Sequence, residues 1–197
     1  TQSGLSTNAI EALKIVKKKQ CRAICLTGNK NSDVKDVADV VIEYGVGEEL
    51  VGYVTKGVSS LALFLDLFAI AYSGKTEYLD ELKKAADLNE EMIDQATNFI
   101  QRHYKNFTSM SWVYSCGAGA NYGTALESAL KMGETIHIPS CCYEIEEYIH
   151  GPNLQLTPQY NVIFFDGNDG ASRRVEQVYK ATRKVSNRAY LISNNPQ

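Results

Sequence analysis

Glu127, Lys131 and Glu134 recur at i, i+4 and i+7 in the run that begins at Ala125. On one helix those positions share a face, so two carboxylates would flank one ammonium. Further along, His150 stands directly before Gly151-Pro152, where proline forbids more helix. A carboxylate, an ammonium and an imidazole can move a proton at a carbon beside a carbonyl or imine, provided that something holds the substrate. The same residue types on a solvated face would be an ion-pair ladder contributing about 0.2–0.5 kcal/mol per pair. Against the ladder, Ala125, Leu126, Ala129 and Leu130 leave that helix little polar surface, and a glycine-rich turn with Gly117 and Gly119 opens it. Spacing alone leaves both readings open. A lone histidine is often structural, and His103 and His137 lack even the setting of His150.

A holder for an anion stands at the start of the chain. Thr1-Gln2-Ser3-Gly4-Leu5-Ser6 is rich in hydroxyls and feeds a run, Asn8 to Lys19, with apolar residues at helical spacing (Ala9, Leu13, Val16). Free backbone N–H groups and the positive dipole end meet at such a helix start, which suits an anion. Ser6, Thr7 or Asn8 acting as an ordinary N-cap is the other reading. Gly117-Ala118-Gly119 with Gly123 gives G-x-G-x-x-x-G, one residue off the dinucleotide fingerprint, and no acidic partner follows at the right distance. No nicotinamide cofactor is expected.

These residues need positioning elements. Arg22 to Leu26 and Val40 to Glu43 predict short apolar strands with a helical turn at Asp33 to Asp36 between them. Ser59 to Tyr72 predicts a helix that is core or subunit interface, being apolar on most sides. Thr76 to Lys105 predicts one or two linker helices. A second series follows: strands at Ser111 to Ser115, Thr135 to Ile138, Asn161 to Phe165 and Ala189 to Ile192. Helices are predicted at Tyr122 to Lys131, Cys142 to Tyr148 and Ala171 to Val185. Continuous apolar strands alternating with helices predict an α/β fold with parallel sheets covered on both faces, and ligand sites at the carboxyl ends of strands.

Composition sets outer limits. The 197 residues are 44% hydrophobic and 22% charged, as in a globular protein with a sizeable core. A net charge of −3 argues against a nucleic-acid or membrane-surface partner held by bulk charge. The longest apolar run, Leu61 to Tyr72, is interrupted by Asp66 and falls short of the ~18 residues of a membrane span. The five cysteines are odd in number and lack zinc spacing, so reduced thiols of a cytoplasmic protein are expected, with no metal. Vicinal Cys141-Cys142 is the one pair with redox potential on spacing.

The chain resembles the tandem sugar-isomerase (SIS) domain family, which includes the isomerase half of glucosamine-6-phosphate synthase and the deglycases of fructosamine 6-phosphates. Thr1-Gln2-Ser3-Gly4-Leu5-Ser6 is similar to the family's S-Q-S-G-x-T phosphate loop, with hydroxyl replacing hydroxyl at Thr1 and Ser6. Ala125-Leu126-Glu127-x-Ala129-Leu130-Lys131-x-x-Glu134, then Glu147-x-x-His150-Gly151-Pro152, is similar to its isomerase signature with the spacing intact, and Thr55-Lys56 is similar to the family's S-T-K run.

The resemblance implies two flavodoxin-like αβα units. Residues 1–74 would be the later part of the first unit, 75–108 a helical linker and 109–197 the second unit. The first strand of the first unit would lie upstream of Thr1 and the closing tail past Gln197. It implies that Thr1, Gln2, Ser3 and Ser6 hold a substrate phosphate, that Glu134 is the base moving a proton between C1 and C2, and that Lys131 sits in the pocket. His150 would reach the site of a neighbouring subunit in a homodimer, with Glu127, Gly117 and Gly119 in support. No cofactor is implied. Nothing in the chain resembles a glutaminase half with its N-terminal cysteine. Ala118 and Cys141 stand where the synthase has arginine and glutamate.

The expected activity is therefore cleavage of a fructosamine 6-phosphate to glucose 6-phosphate and an amine. Aldose–ketose isomerisation or glucosamine-6-phosphate deamination is the near alternative. A non-catalytic sugar-phosphate sensor is the third reading, against which the retained Glu134 and His150 speak.

Overall fold

Alternation of apolar side chains between two helix-covered faces organises the larger sheet. In this computed structural model, which describes residues 1–194, the chain divides into two compact units, Thr1–Asp94 and Gln95–Gln197.

In the first unit, α1 (Thr7–Lys18) is followed by β1 (Ile24–Thr27), a 3-10 turn (Asp33–Asp36) and β2 (Val40–Glu43). β1 and β2 pair in parallel, with Ile24 opposite Val40 and Thr27 opposite Glu43. Leu13 of α1 buries its side chain with Ala23, Cys25 and Val34. At the end of α1, Lys17 pairs with Asp39 at 3.0 Å, both side chains being well exposed. Helix α2 (Lys56–Ser73) follows, then α3 (Tyr78–Arg102), within which the division between units falls.

Two expectations change here. α2 is not core within this chain: only Gly57 and Ile70 are buried, while Leu63, Leu65, Leu67, Phe68 and Tyr72 are exposed. At 18 residues α2 is also longer than the apolar run read from sequence, and by length and composition alone it could cross a membrane. The helix extends beyond the expected Ser59 to Tyr72 by Lys56–Val58 at its start and by Ser73 at its end.

The second unit holds α4 (Tyr104–Thr108), β3 (Val113–Gly117), α5 (Ala120–Lys131), β4 (Ser140–Glu144), α6 (Ile145–Ile149), β5 (Val162–Asp166), α7 (Ser172–Arg183) and β6 (Ala189–Ser193). Its sheet runs β4-β3-β5-β6, all parallel. The first connection folds back to one side and the chain then crosses to the other, a doubly wound order whose strand ends suit ligands. Cys116, Val162 and Phe164 pack with Ile145, Tyr148 and Val175 on the face that α6 and α7 cover. Val113 and Ile163 face the opposite way with Met110 and Tyr190. Adjacent strand residues thus serve two cores, as the pleat requires.

Several boundaries moved. The strand expected at 111–115 lies two residues later. The run Thr135–Ile138, expected as a strand, is not one: Met132–Ile136 makes a π-helical turn and His137 takes a left-handed conformation (φ 62) that ends it. Pro139 then biases the preceding residue toward extended backbone, and the strand begins at Ser140. Because Cys142–Glu144 completes that strand, the helix expected from Cys142 starts only at Ile145, capped by Glu144, whose carboxylate accepts from the Glu146 N–H at 2.7 Å.

Candidate functional site

The hydroxyl loop lies alongside the end of β1. The Thr1 nitrogen donates to Leu26 O at 3.0 Å, and Gly28 N–H donates to Gln2 O at 2.9 Å. Gly4 turns the chain at φ +69, where a Cβ would collide with the Ser32 hydroxyl at 1.7 Å. α1 then begins after Ser6. Among the described residues no side chain caps it; the Ser6 hydroxyl instead shares a 2.9 Å hydrogen bond with that of Thr1, and Ser3 Oγ accepts from Leu5 N–H at 3.2 Å. An uncapped helix start beside exposed Ser3 and Ser6 leaves donors available to an anion. The loop lines a cleft of about 450 Å³ together with Gly28, Asn29 and Glu49.

Glu49 was not singled out from the sequence, yet it is the most heavily bonded carboxylate there. It accepts from the N–H groups of Thr55 and Lys56 (both 2.8 Å) and Gly57 (3.0 Å), and from the Gln2 amide at 2.9 Å. The Gln2 bond, with the backbone donors behind it, holds the carboxyl at about 2. The only sequence signal was an acid a few residues before a helix start, which is common.

In the second unit, Glu127 and Lys131 lie on α5, and Glu134 lies in the π-turn that follows. The structure brings these three together. Lys131 Nζ donates to Glu134 Oε2 at 2.5 Å and lies 3.6 Å from Glu127 Oε1. Lys131 is 20% exposed and each glutamate 36%. The Glu134 bond, then the Glu127 charge, raises the Lys131 pKa against partial burial. The ion-pair reading of the spacing was therefore right in its contacts, but the pair closes on Glu134 through a π-turn rather than along a continued helix.

His150 caps the C-terminal end of α6 and is exposed. Gly117 ends β3 and Gly119 (φ 54) precedes α5, so both shape the turn that aims α5. The hydroxyl loop belongs to the first unit, and Glu127, Lys131, Glu134 and His150 to the second. All five cysteines are free; Cys141 is exposed and Cys142 half-buried. Among the described residues, no group of three or more His, Cys, Asp or Glu could hold a metal ion.

No family model matches the chain. Over 160 residues, 77% of its length, it is 31% identical to the isomerising glutamine–fructose-6-phosphate aminotransferase of Caldanaerobacter subterraneus, of which it spans 26%. It superposes along its whole length, at TM-score 0.88 and 25% identity, on 58% of a Clostridium difficile protein provisionally described as a phosphosugar isomerase. In sequence and in fold the chain resembles these phosphosugar-handling proteins, in line with the SIS resemblance of its motifs. The C-terminal domain of the Francisella tularensis glucosamine–fructose-6-phosphate aminotransferase shares the fold at TM-score 0.86 and 22% identity, over 98% of this chain and 56% of that one. The chain spans about a quarter to a third of the curated relatives it matches.

Proposed function

We propose that this SIS-type chain processes a phosphorylated sugar or amino sugar, and that its reaction is the cleavage of a fructosamine 6-phosphate. The observation that carries the reading is the hydroxyl loop: exposed Ser3 and Ser6 at the uncapped start of α1, lining a cleft. An anchored phosphate fixes the reacting carbons against a base.

Glu134 is the base of the proposed reaction. It takes a proton from C1 of the ketosamine, and reprotonation at C2 gives the imine of glucose 6-phosphate. Water then splits the imine into glucose 6-phosphate and the free amine. Lys131, held charged by its two glutamates, orients Glu134 and the sugar hydroxyls. His150 protonates the leaving amine or assists ring opening. Its exposure at the end of α6 leaves it free to serve the site of a second copy, so a homodimer with shared sites belongs to the proposal. The uncovered apolar face of α2 supports such an assembly. No metal or organic cofactor takes part, and the setting is cytoplasmic.

Aldose–ketose isomerisation is the second reading, favoured by the isomerising activity in the name of the Caldanaerobacter relative. Deamination of glucosamine 6-phosphate would use the same proton shuttle. The test is Glu134→Gln assayed on a panel of glycated amino-acid 6-phosphates, glucosamine 6-phosphate and fructose 6-phosphate. We expect glucose 6-phosphate release from the panel by the wild type, a fall of about 10²–10⁴ in the variant, and retained sugar-phosphate binding by calorimetry. Turnover that survives in Glu134→Gln removes the base assignment. Ammonia from glucosamine 6-phosphate, or interconversion of hexose phosphates without amine release, selects the second reading or its deaminase form.

A further inference from the structure

We propose that Glu49 is a positioning residue that sets the hydroxyl loop by acting through Gln2. The inference rests on the phosphate-loop reading above and names the residue that holds that loop in shape.

The geometry is a clamp with three sides. The Glu49 carboxylate spans the first turn of α2, taking the N–H groups of Thr55, Lys56 and Gly57. Its Oε2 also takes the Gln2 amide N–H at 2.9 Å. Because an ionised carboxylate only accepts, this bond fixes which way the Gln2 amide points. The amide oxygen is thereby turned toward Gly57, buried and without a hydrogen-bond partner among the described residues. A Cβ on Gly57 would fall 1.9 Å from it, so the fit needs glycine there. On its other side, Gln2 accepts through its backbone oxygen from Gly28 N–H at 2.9 Å and from the Thr27 hydroxyl at 3.2 Å. Gln2 is thus a strut between the end of β1 and the start of α2. Ser3 follows it directly.

A carboxylate beside a phosphate cleft would by itself weaken anion binding. Here four N–H donors face it, and such charge-assisted bonds are about twice as strong as neutral ones. Glu49 also fills the start of α2 with an anion of the protein's own, which leaves the start of α1 as the open one. Repulsion and positioning therefore predict opposite signs for removing the charge. If Glu49 chiefly repels, Glu49→Gln binds phosphate esters more tightly. If it chiefly positions, the variant binds them more weakly.

The experiment uses calorimetry of fructose 6-phosphate with the full chain, in wild type, Glu49→Gln, Gln2→Ala and the double variant, alongside hydrogen exchange at the Gly28 amide. We expect Glu49→Gln to weaken fructose 6-phosphate binding about tenfold, or ~1.4 kcal/mol, and to speed Gly28 exchange. In the Gln2→Ala background the same change should add little, because a residue acting through Gln2 is non-additive with it. Full additivity reduces Glu49 to a cap of α2 and overturns the inference, as does unchanged or tighter binding. Should Glu49→Gln not fold, Gly57→Ala displaces the Gln2 amide from the helix side and should show the same loss. If Ser3→Ala and Ser6→Ala leave binding unchanged, the phosphate-loop reading fails. Gly28 exchange then still decides the clamp, and an unaltered rate in Glu49→Gln overturns it.

Discussion

Lys131 donates a 2.5 Å hydrogen bond to Glu134 across the junction between α5 and its π-turn. A straight continuation of α5 would also bring these residues, three apart, onto one side. The π-turn changes what comes next: the chain leaves the helix within a few residues, so Glu134 is the last acid of the element rather than one rung in a ladder. Lys131→Met should therefore act on turnover. We expect kcat/KM to fall at least about tenfold, ~1.4 kcal/mol of barrier, in steady-state assays on the substrate selected by the Glu134→Gln panel.

The same pair carries a pH dependence at the alkaline end. The Lys131 pKa is raised in the folded chain, with the Glu134 bond as first cause. A raised pKa gives stability that is fully present below the unfolded value, about 10.4 for lysine, and lost as pH rises through the folded value. Urea denaturation of wild type and Lys131→Met should differ most at neutral pH. The two curves should converge above about pH 10.4. A difference that grows with pH would contradict the pairing.

Glu49 has the opposite sign. Its carboxyl is held at about 2, first by the Gln2 amide and then by backbone donors of α2. A depressed pKa gives stability that is present above the unfolded value, about 4.3 for glutamate, and lost as pH falls through the folded one. Wild type should lose midpoint urea concentration on going from pH 5 toward pH 2 more steeply than Glu49→Gln. Parallel loss in both proteins would place the acid sensitivity elsewhere.

Ser6 separates anion binding from helix capping. An N-cap serine replaced by alanine typically costs about 1 kcal/mol. Ser6 makes no capping bond here and pairs with Thr1 instead. Ser6→Ala should therefore leave thermal stability nearly unchanged. A hydrogen bond to a charged group contributes about 1.5–3 kcal/mol, so fructose 6-phosphate binding should weaken by roughly tenfold or more in calorimetry. A clear fall in melting temperature with unchanged binding would make Ser6 an ordinary cap.

How much of this could be read in the sequence depended on whether the signal was local. β2 was bounded correctly at Val40–Glu43 because an apolar run and a following glycine mark it. The Glu127–Lys131–Glu134 cluster was legible as spacing, since a helix brings such positions together. The π-turn was not, because its cause lies past the helix: a left-handed His137 and Pro139 redirect the chain after the periodicity has ended. Tandem runs such as Ile136–Ile138 look like strand but precede the real one. For α2 the sequence left core and subunit interface open, and the exposed face removes only the first, because hydropathy reports what a helix needs to cover, not whether this chain covers it. Glu49 was invisible for a different reason. Its partners, Gln2 and the first turn of α2, are distant or backbone, and neither leaves a mark in residue type.

Gly117 offers the sharpest structural test in the second unit. It ends β3 where the chain turns into α5, and a Cβ there would lie 2.2 Å from Asn121 O and 2.6 Å from Asn121 C. Those are backbone atoms of the first turn of α5, so they cannot swing aside as the Gln2 side chain can near Gly57. Gly117→Ala must push α5 away from β3, and overpacking of this kind costs about 1–3 kcal/mol. Gly119→Ala differs in kind. Its nearest atom is Asp169 Oδ2 at 3.6 Å, so the cost there is conformational, from φ 54 and ψ −130. Such backbone strain costs about 1–3 kcal/mol as well. Stability alone will therefore not separate the two variants. Turnover will, because α5 carries Glu127 and Lys131 and leads into Glu134. Gly117→Ala should lower kcat at temperatures where the protein is still folded, by shifting that helix as a body. Gly119→Ala strains the turn before the helix without a backbone clash and should leave kcat closer to wild type. Equal losses of kcat in both would mean that the turn, rather than the seat of α5 on β3, places Glu134.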